Sequence, residues 1–215
     1  MTVKKIFWDD PYRTTLTTTV TSVHDNAVTL KETIFFAFSG GQESDQGTIG
    51  GFEVLEAKKV GTEILYTLPD GHGLKAGDTV TVEIDDPRRL ALMRLHFAAE
   101  LVLWAVQTRH GAPEKIGAHI SPEKARIDFL WEGSIAPILP DTADWVNRII
   151  AEDHPIESAF TDEAAERRVW RIEGVGETPC GGTHLRRTGE IGPVRLRRRN
   201  IGGGRERIEI TLERL

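Results

Sequence analysis

Cysteine is all but missing from this chain. Cys180 is the only one in 215 residues. No intrachain disulfide can form, and a single thiol is left to pack, to react or to bind a metal. Long apolar runs are missing too: no stretch reaches the roughly 18 residues that a transmembrane helix needs. After Lys4 and Lys5 the N-terminus has no apolar segment of signal-peptide length. The expectation is a chain without a membrane partner, cytoplasmic by default. Basic residues are in deficit. With 27 Lys and Arg against 33 Asp and Glu, the net charge is −6, the wrong sign overall for a nucleic-acid binder. Internal repeats and low-complexity tracts are also absent. What remains is 39% hydrophobic and 28% charged, ordinary for a folded chain with a core of useful size.

The basic deficit is uneven. Cys180 to Leu215 hold nine Lys and Arg against four Asp and Glu. The cluster consists of Arg186, Arg187, Arg195, Arg197, Arg198, Arg199, Arg205 and Arg207. It reads either as a solvated sheet face whose arginines pair with acidic neighbours or as a phosphate-binding footprint for RNA.

Residues 1–86 read as short strands. Thr14–Val23 is rich in threonine and valine and is followed by the turn His24-Asp25-Asn26. Ala27–Leu30, Thr33–Phe38, Phe52–Lys58 and Glu63–Thr67 continue the pattern, and Thr79–Ile84 alternates strictly. A small β-barrel would remove the exposed edges of such strands. Asp85-Asp86-Pro87 then marks a boundary and the start of a helix over Arg88–Thr108, apolar nearly all round and therefore buried. Lys124–Trp131 reads as a strand. Thr142–Glu152 reads as an amphipathic helix with Asp141 as N-cap, and Thr161–Arg168 as a shorter helix. Val169–Ile172, Gly192–Arg199 and Arg205–Leu212 read as strands. The fold class is α+β, with domains at 1–86 and 87–215.

Two local patterns carry chemistry. His96 and Glu100 sit four apart on the buried helix, on one face. A carboxylate in an apolar core costs several kcal/mol unless paired. The plainer reading is that the two bond each other or Arg94. The second pattern is Cys180-Gly181-Gly182-Thr183-His184, where two glycines let the backbone turn sharply and approach a ligand. Thiolate, imidazole and carboxylate together favour zinc. Neither half is specific alone; together, with the arginines behind them, they are.

The stretch CGGTHLRRTGEIGPVRLRRRNIGGGRERIEI resembles the C-terminal signature of alanyl-tRNA editing domains. MRLHFAAEL resembles the helix that supplies that family's first pair of zinc ligands. FFAFSGGQESDQGTIGG resembles the glycine-rich motif of its free-standing, medium-length members, and IGAHISPEKARIDF the strand segment between. The resemblance covers nearly the whole chain. It implies a translation-factor-like β-barrel followed by the α+β editing domain shared with threonyl- and alanyl-tRNA synthetases. It also implies zinc-assisted hydrolysis of the aminoacyl ester on mischarged tRNA(Ala), with serine, and in some members glycine, removed. The expected metal ligands are His96, Glu100, Cys180 and His184, and the candidate catalytic residues are Glu100, Thr183 and Gln42.

Two positions depart from the family. Its helix usually reads H-T-x-x-H, but here Phe97 replaces the threonine and Glu100 the second histidine. Glu100 is then either a zinc ligand, the expectation that follows the family position, or a general base beside a three-ligand site. A third reading is a site that has lost its metal in a protein that only binds RNA. The loop Ser39–Gly47 lacks the Lys-Ser/Thr ending of a nucleotide P-loop, so ATP is not an expected ligand. By resemblance Gly40 and Gly41 approach the substrate, and the local basic charge makes Arg197 and Arg199 the expected tRNA contacts. His24, His72, His110, His119 and His154 have no metal-type spacing, and oligomeric state is not legible.

Overall fold

The computed structural model describes residues 2–213, which divide into two compact units. The first comprises residues up to Ser39 and Glu43–Leu90; the second comprises Gly40–Gln42 and Ala91 onward. The boundary expected at 86/87 lies in the first turn of a long helix.

In the first unit the strands are β1 (Lys4–Lys5), β2 (Thr15–His24), β3 (Ala27–Leu30), β4 (Glu32–Thr33), β5 (Gly47–Ile49), β6 (Phe52–Glu53), β7 (Glu56–Val60), β8 (Glu63–Thr67) and β9 (Thr79–Ile84). Seven of them form one sheet in the order β6-β5-β9-β2-β3-β8-β7. Alternation along β2 and β9 sends Leu16, Val20, Val80 and Val82 into the core. The sheet is curled but open. Among the described residues β6 and β7 are its edges and do not pair with each other, so the expected closed barrel is not present.

The strand expected over Thr33–Phe38 stops at Thr33. Side chains take its hydrogen bonds instead. Asp45 accepts from Phe36 N at 2.6 Å, Ser44 from Phe38 N at 2.8 Å, and Arg89 donates to Ile34 O at 2.5 Å. Arg89 also donates its Nε to Asp45 at 2.9 Å, and both side chains are fully buried. Breaking such a pair leaves an uncompensated charge in the core, so the acidic half of the glycine-rich motif is a structural anchor.

Helix α1 (Asp86–Arg109) starts where Asp85 accepts the Arg88 N–H at 2.9 Å, a side-chain N-cap. By length and composition this helix is apolar enough to cross a membrane, contrary to the expectation that no run reaches that length. Most of it is instead buried within the protein, with Leu92, Leu95, Leu101, Val102 and Val106 inaccessible.

The second unit continues with β10 (Lys115–Ile120), β11 (Ala125–Leu130), α2 (Leu139–Glu152), β12 (Glu157–Asp162), β13 (Arg167–Ile172), β14 (Gly176–Pro179), β15 (Val194–Gly202) and β16 (Arg205–Leu212). One antiparallel sheet runs β10-β11-β16-β15; a second runs β12-β13-β14. The larger sheet buries Ile127, Phe129, Ile208 and Ile210 on its inner face. Helix α2 is tied to β15 by Asn147, which exchanges two hydrogen bonds with the Val194 backbone.

Two expectations fail here. Asp141 is not an N-cap, because α2 begins at Leu139 straight from a 3-10 turn, and Asp141 pairs with Arg109 at 2.9 Å. The helix expected over Thr161–Arg168 is the tip of the β12–β13 hairpin. Its helix-forming residues span only about two turns, too few to nucleate without an apolar face, and Asp162 accepts the Ala165 N–H to close the turn.

Candidate metal centre

Three side chains of the second unit converge. His96 comes from α1, and Cys180 and His184 from the glycine turn after β14. The turn is placed by the Cys180 N–H, which bonds the Arg168 carbonyl of β13 at 2.9 Å. The Nε2 atoms of His96 and His184 lie 3.1 and 3.2 Å from Cys180 Sγ. The imidazoles are stacked with centroids 5.4 Å apart, and one donor atom from each residue falls within 4.8 Å of the others.

Two imidazole nitrogens and a sulfur facing one point form the donor set of a zinc site. Gly182 is what lets the turn close on it: a Cβ there would come within 3.0 Å of His96 Cε1 and Nε2. Burial pushes the Cys180 thiol well above its ordinary value of 9.0, and Glu100 adds to the effect. Burial, then His96 and Arg168, push His184 well below 6.5. Burial lowers His96 as well, against the opposing pull of Glu100. Without a cation the three groups are neutral; a divalent ion reverses that preference and favours the thiolate. The residues present fit the metal.

Glu100 stands outside this group of three. It is half-buried, and its Oε2 accepts the indole N–H of the buried Trp170 at 2.8 Å. A buried indole needs an acceptor, and Glu100 supplies it. Phe97 packs edge-on against both His184 and Trp170, with centroids 5.5 and 5.4 Å away. Both departures from the H-T-x-x-H pattern therefore meet the same tryptophan. Arg94 bonds neither His96 nor Glu100; its Nε donates to Ile191 O at 2.8 Å.

Gln42 and Thr183 are brought together and fully buried. Gln42 Nε2 donates to Thr183 Oγ1 at 2.9 Å, and Thr183 N donates to Gln42 Oε1 at 3.4 Å. Gln42 also bridges Ile120 at the end of β10. Gly41 has φ +90°, and a Cβ there would meet the Ala118 carbonyl oxygen at 2.7 Å, so close strand approach already explains this glycine. Gly40, at φ +61°, faces open space.

Arg197 and Arg199 lie on the outer face of the larger sheet, with Arg126, Asp128, Arg207 and Glu209. Much of the arginine cluster is paired. Arg207 bonds Asp128 at 2.6 Å, Arg195 bonds Glu213 at 2.6 Å, and Arg199 lies 3.8 Å from Glu209. Arg198 turns to the other face and neutralises the buried Glu206. Arg197 has no ion-pair partner among the described residues. The other histidines form no metal-type cluster among the described residues.

Sequence reasoning missed Ser158 and Trp170. Ser158 Oγ lies 2.7 Å from His184 Nδ1. Both residues belong to the hairpin whose tip reads locally as helix, so their strand register, Ser158 opposite Trp170, had no signal along the chain.

Residues 168–209 match the family described as "Threonyl and Alanyl tRNA synthetase second additional domain". The matched segment includes Cys180 and His184 of the cluster. Across its length the chain is 30% identical to an alanyl-tRNA editing protein AlaX-M of Pyrococcus horikoshii, covering 98% of both chains. It is 31% identical to the AlaX-M of Methanosarcina acetivorans, covering 87% of this chain and 89% of that one. It is also 32% identical to the alanine–tRNA ligase of Methanopyrus kandleri, over 97% of this chain but 25% of the ligase. The chain belongs to the AlaX-M family of alanyl-tRNA editing proteins.

Proposed function

We propose that this protein is a trans-acting hydrolase that removes serine, and secondarily glycine, from mischarged tRNA(Ala) with the help of zinc. The observation that carries this reading is the convergence of His96, Cys180 and His184 on one point in a chain of this family. These three residues hold the metal; when bound, zinc supplies Lewis acidity toward the ester and its attacking water. Glu100 is the general base. Trp170 holds its Oε2, and the carboxylate, which also faces the Cys180 thiol, takes a proton from water as the water attacks the ester carbonyl. That proton then goes to the departing ribose oxygen. The Gln42–Thr183 pair, fully buried and bonded to itself, fixes the glycine turn that carries Cys180 and His184. Gly40 leaves backbone open to the terminal adenosine, and the outer sheet face carrying Arg197 and Arg199 takes RNA phosphates.

The chain Cys180–His184–Ser158 also has the spacing of a nucleophile, base and orienting group. The raised thiol opposes that role, because the thiolate is the nucleophile. Protein purified without chelator should carry near-stoichiometric zinc. It should lose hydrolysis of Ser-tRNA(Ala) on stripping and regain it with added zinc. A folded, metal-free protein that binds tRNA without hydrolysis would instead be a binding module with a degraded site. Hydrolysis unaffected by stripping but abolished by thiol alkylation would support the cysteine reading.

A further inference from the structure

We propose that Ser158 is a positioning residue that fixes His184 as a metal ligand; this rests on the zinc reading above. A neutral imidazole carries one proton. If His184 presents the Nε2 lone pair toward the point it shares with Cys180 Sγ, 3.2 Å away, the proton must sit on Nδ1. Nδ1 faces Ser158 Oγ at 2.7 Å. The hydroxyl oxygen therefore accepts the Nδ1–H in the ligating tautomer, the outer-shell bond that orients a histidine ligand and raises its basicity. Phe97 meets the same ring edge-on from α1, so the ring is held both by packing and by a hydrogen bond.

His96 provides the contrast. Its Nδ1 is buried with no hydrogen-bond partner among the described residues. In a ligating His96 that N–H would be unsatisfied. The two imidazoles are thus unequal ligands: His184 is oriented before metal arrives and His96 is not. The orienting hydroxyl comes from β12, every residue of which is exposed. Ser158 can accordingly be changed without opening a core cavity, which separates an effect on the metal from an effect on folding.

The test is zinc affinity, measured by chelator competition on the full chain for the wild type, Ser158→Ala and Ser158→Thr. Cobalt(II) absorption reports the ligand field, and the 15N resonances of labelled histidine report which ring nitrogen carries the proton. Ser158→Ala should bind zinc roughly 10- to 100-fold more weakly, with the His184 Nδ1–H exposed to solvent exchange. Ser158→Thr restores the hydroxyl and should recover near wild-type affinity and spectra. The metal-free melting midpoint should be equal in all three. If wild type binds zinc and Ser158→Ala binds it equally well, the proposal is overturned while the zinc reading stands. A threonine variant as weak as the alanine one also overturns it, since a hydroxyl would then not be the operative group. A wild-type protein that takes up no zinc ends the zinc reading itself and this proposal with it.

Discussion

One oxygen of the Glu100 carboxylate already has a partner. Trp170 donates to Oε2 from a fully buried indole. Pulling that oxygen onto an ion would strand the indole N–H, at about 1–3 kcal/mol. Glu100→Gln keeps an acceptor for Trp170 and removes the base. The variant should retain full zinc and lose roughly 10²- to 10⁴-fold in hydrolysis, read by metal analysis alongside single-turnover deacylation. Zinc lost along with the charge would make Glu100 a ligand after all. Gly182 tests the other wall. Gly182→Ala puts a methyl group into the His96 ring, so zinc occupancy should collapse while far-UV circular dichroism stays native. The convergence of His96, Cys180 and His184 was legible in part: the glycine turn brings Cys180 and His184 back together, but the shared helix face also put Glu100 among the expected ligands, and it stands outside the group. Ser158 and Trp170 were not, because they reach the site through strand register, which no short-range pattern encodes.

At the scale of elements, regular alternation was enough for β9 and β16, and the capping aspartate for α1. The errors came where side chains replaced ladder hydrogen bonds, as at Ile34–Phe38, or where helix-forming residues fell in a hairpin turn, as at Glu163–Glu166. The outer face of the larger sheet has its own electrostatic signature. Burial alone would raise the Asp128 carboxyl, but Arg207 and Arg126 outweigh it and hold it below its ordinary value of 3.8. A carboxyl depressed in the folded state stabilises the protein above its unfolded value, and that stabilisation is lost as pH falls through the lowered folded value. The wild type should therefore unfold at lower urea concentrations below about pH 4. Asp128→Asn should be less stable at neutral pH by about 1–3 kcal/mol and show a flatter acid limb. An unchanged acid limb would mean that the two arginines do not act through Asp128.

For the whole molecule, a net charge of −6 and a function on RNA are compatible because the charge is segregated. Much of the arginine face is internally neutralised, so the reading of the cluster as a paired sheet face holds for Arg198 and Arg207. Arg198 and Arg207 are paired within the fold; Arg197, with no ion-pair partner among the described residues, and the weakly paired Arg199 are the two proposed to meet phosphates. Reversing both to glutamate should weaken tRNA binding and flatten its dependence on salt, with zinc content unchanged. An unaltered salt slope would move the footprint elsewhere. The closed barrel expected of the first unit failed for a different reason: closure depends on whether two edge strands pair, and local sequence records strands, not their long-range partners.

The most direct measurement is the rate at which purified, zinc-loaded protein releases the amino acid from Ser-tRNA(Ala), Gly-tRNA(Ala) and Ala-tRNA(Ala), with Cys180→Ser protein alongside. Rapid loss of serine, slower loss of glycine, intact Ala-tRNA(Ala) and an inactive Cys180→Ser variant are expected. Equal hydrolysis of all three, or hydrolysis of none by a protein with full zinc, would contradict the assignment of this chain as a trans-editing enzyme.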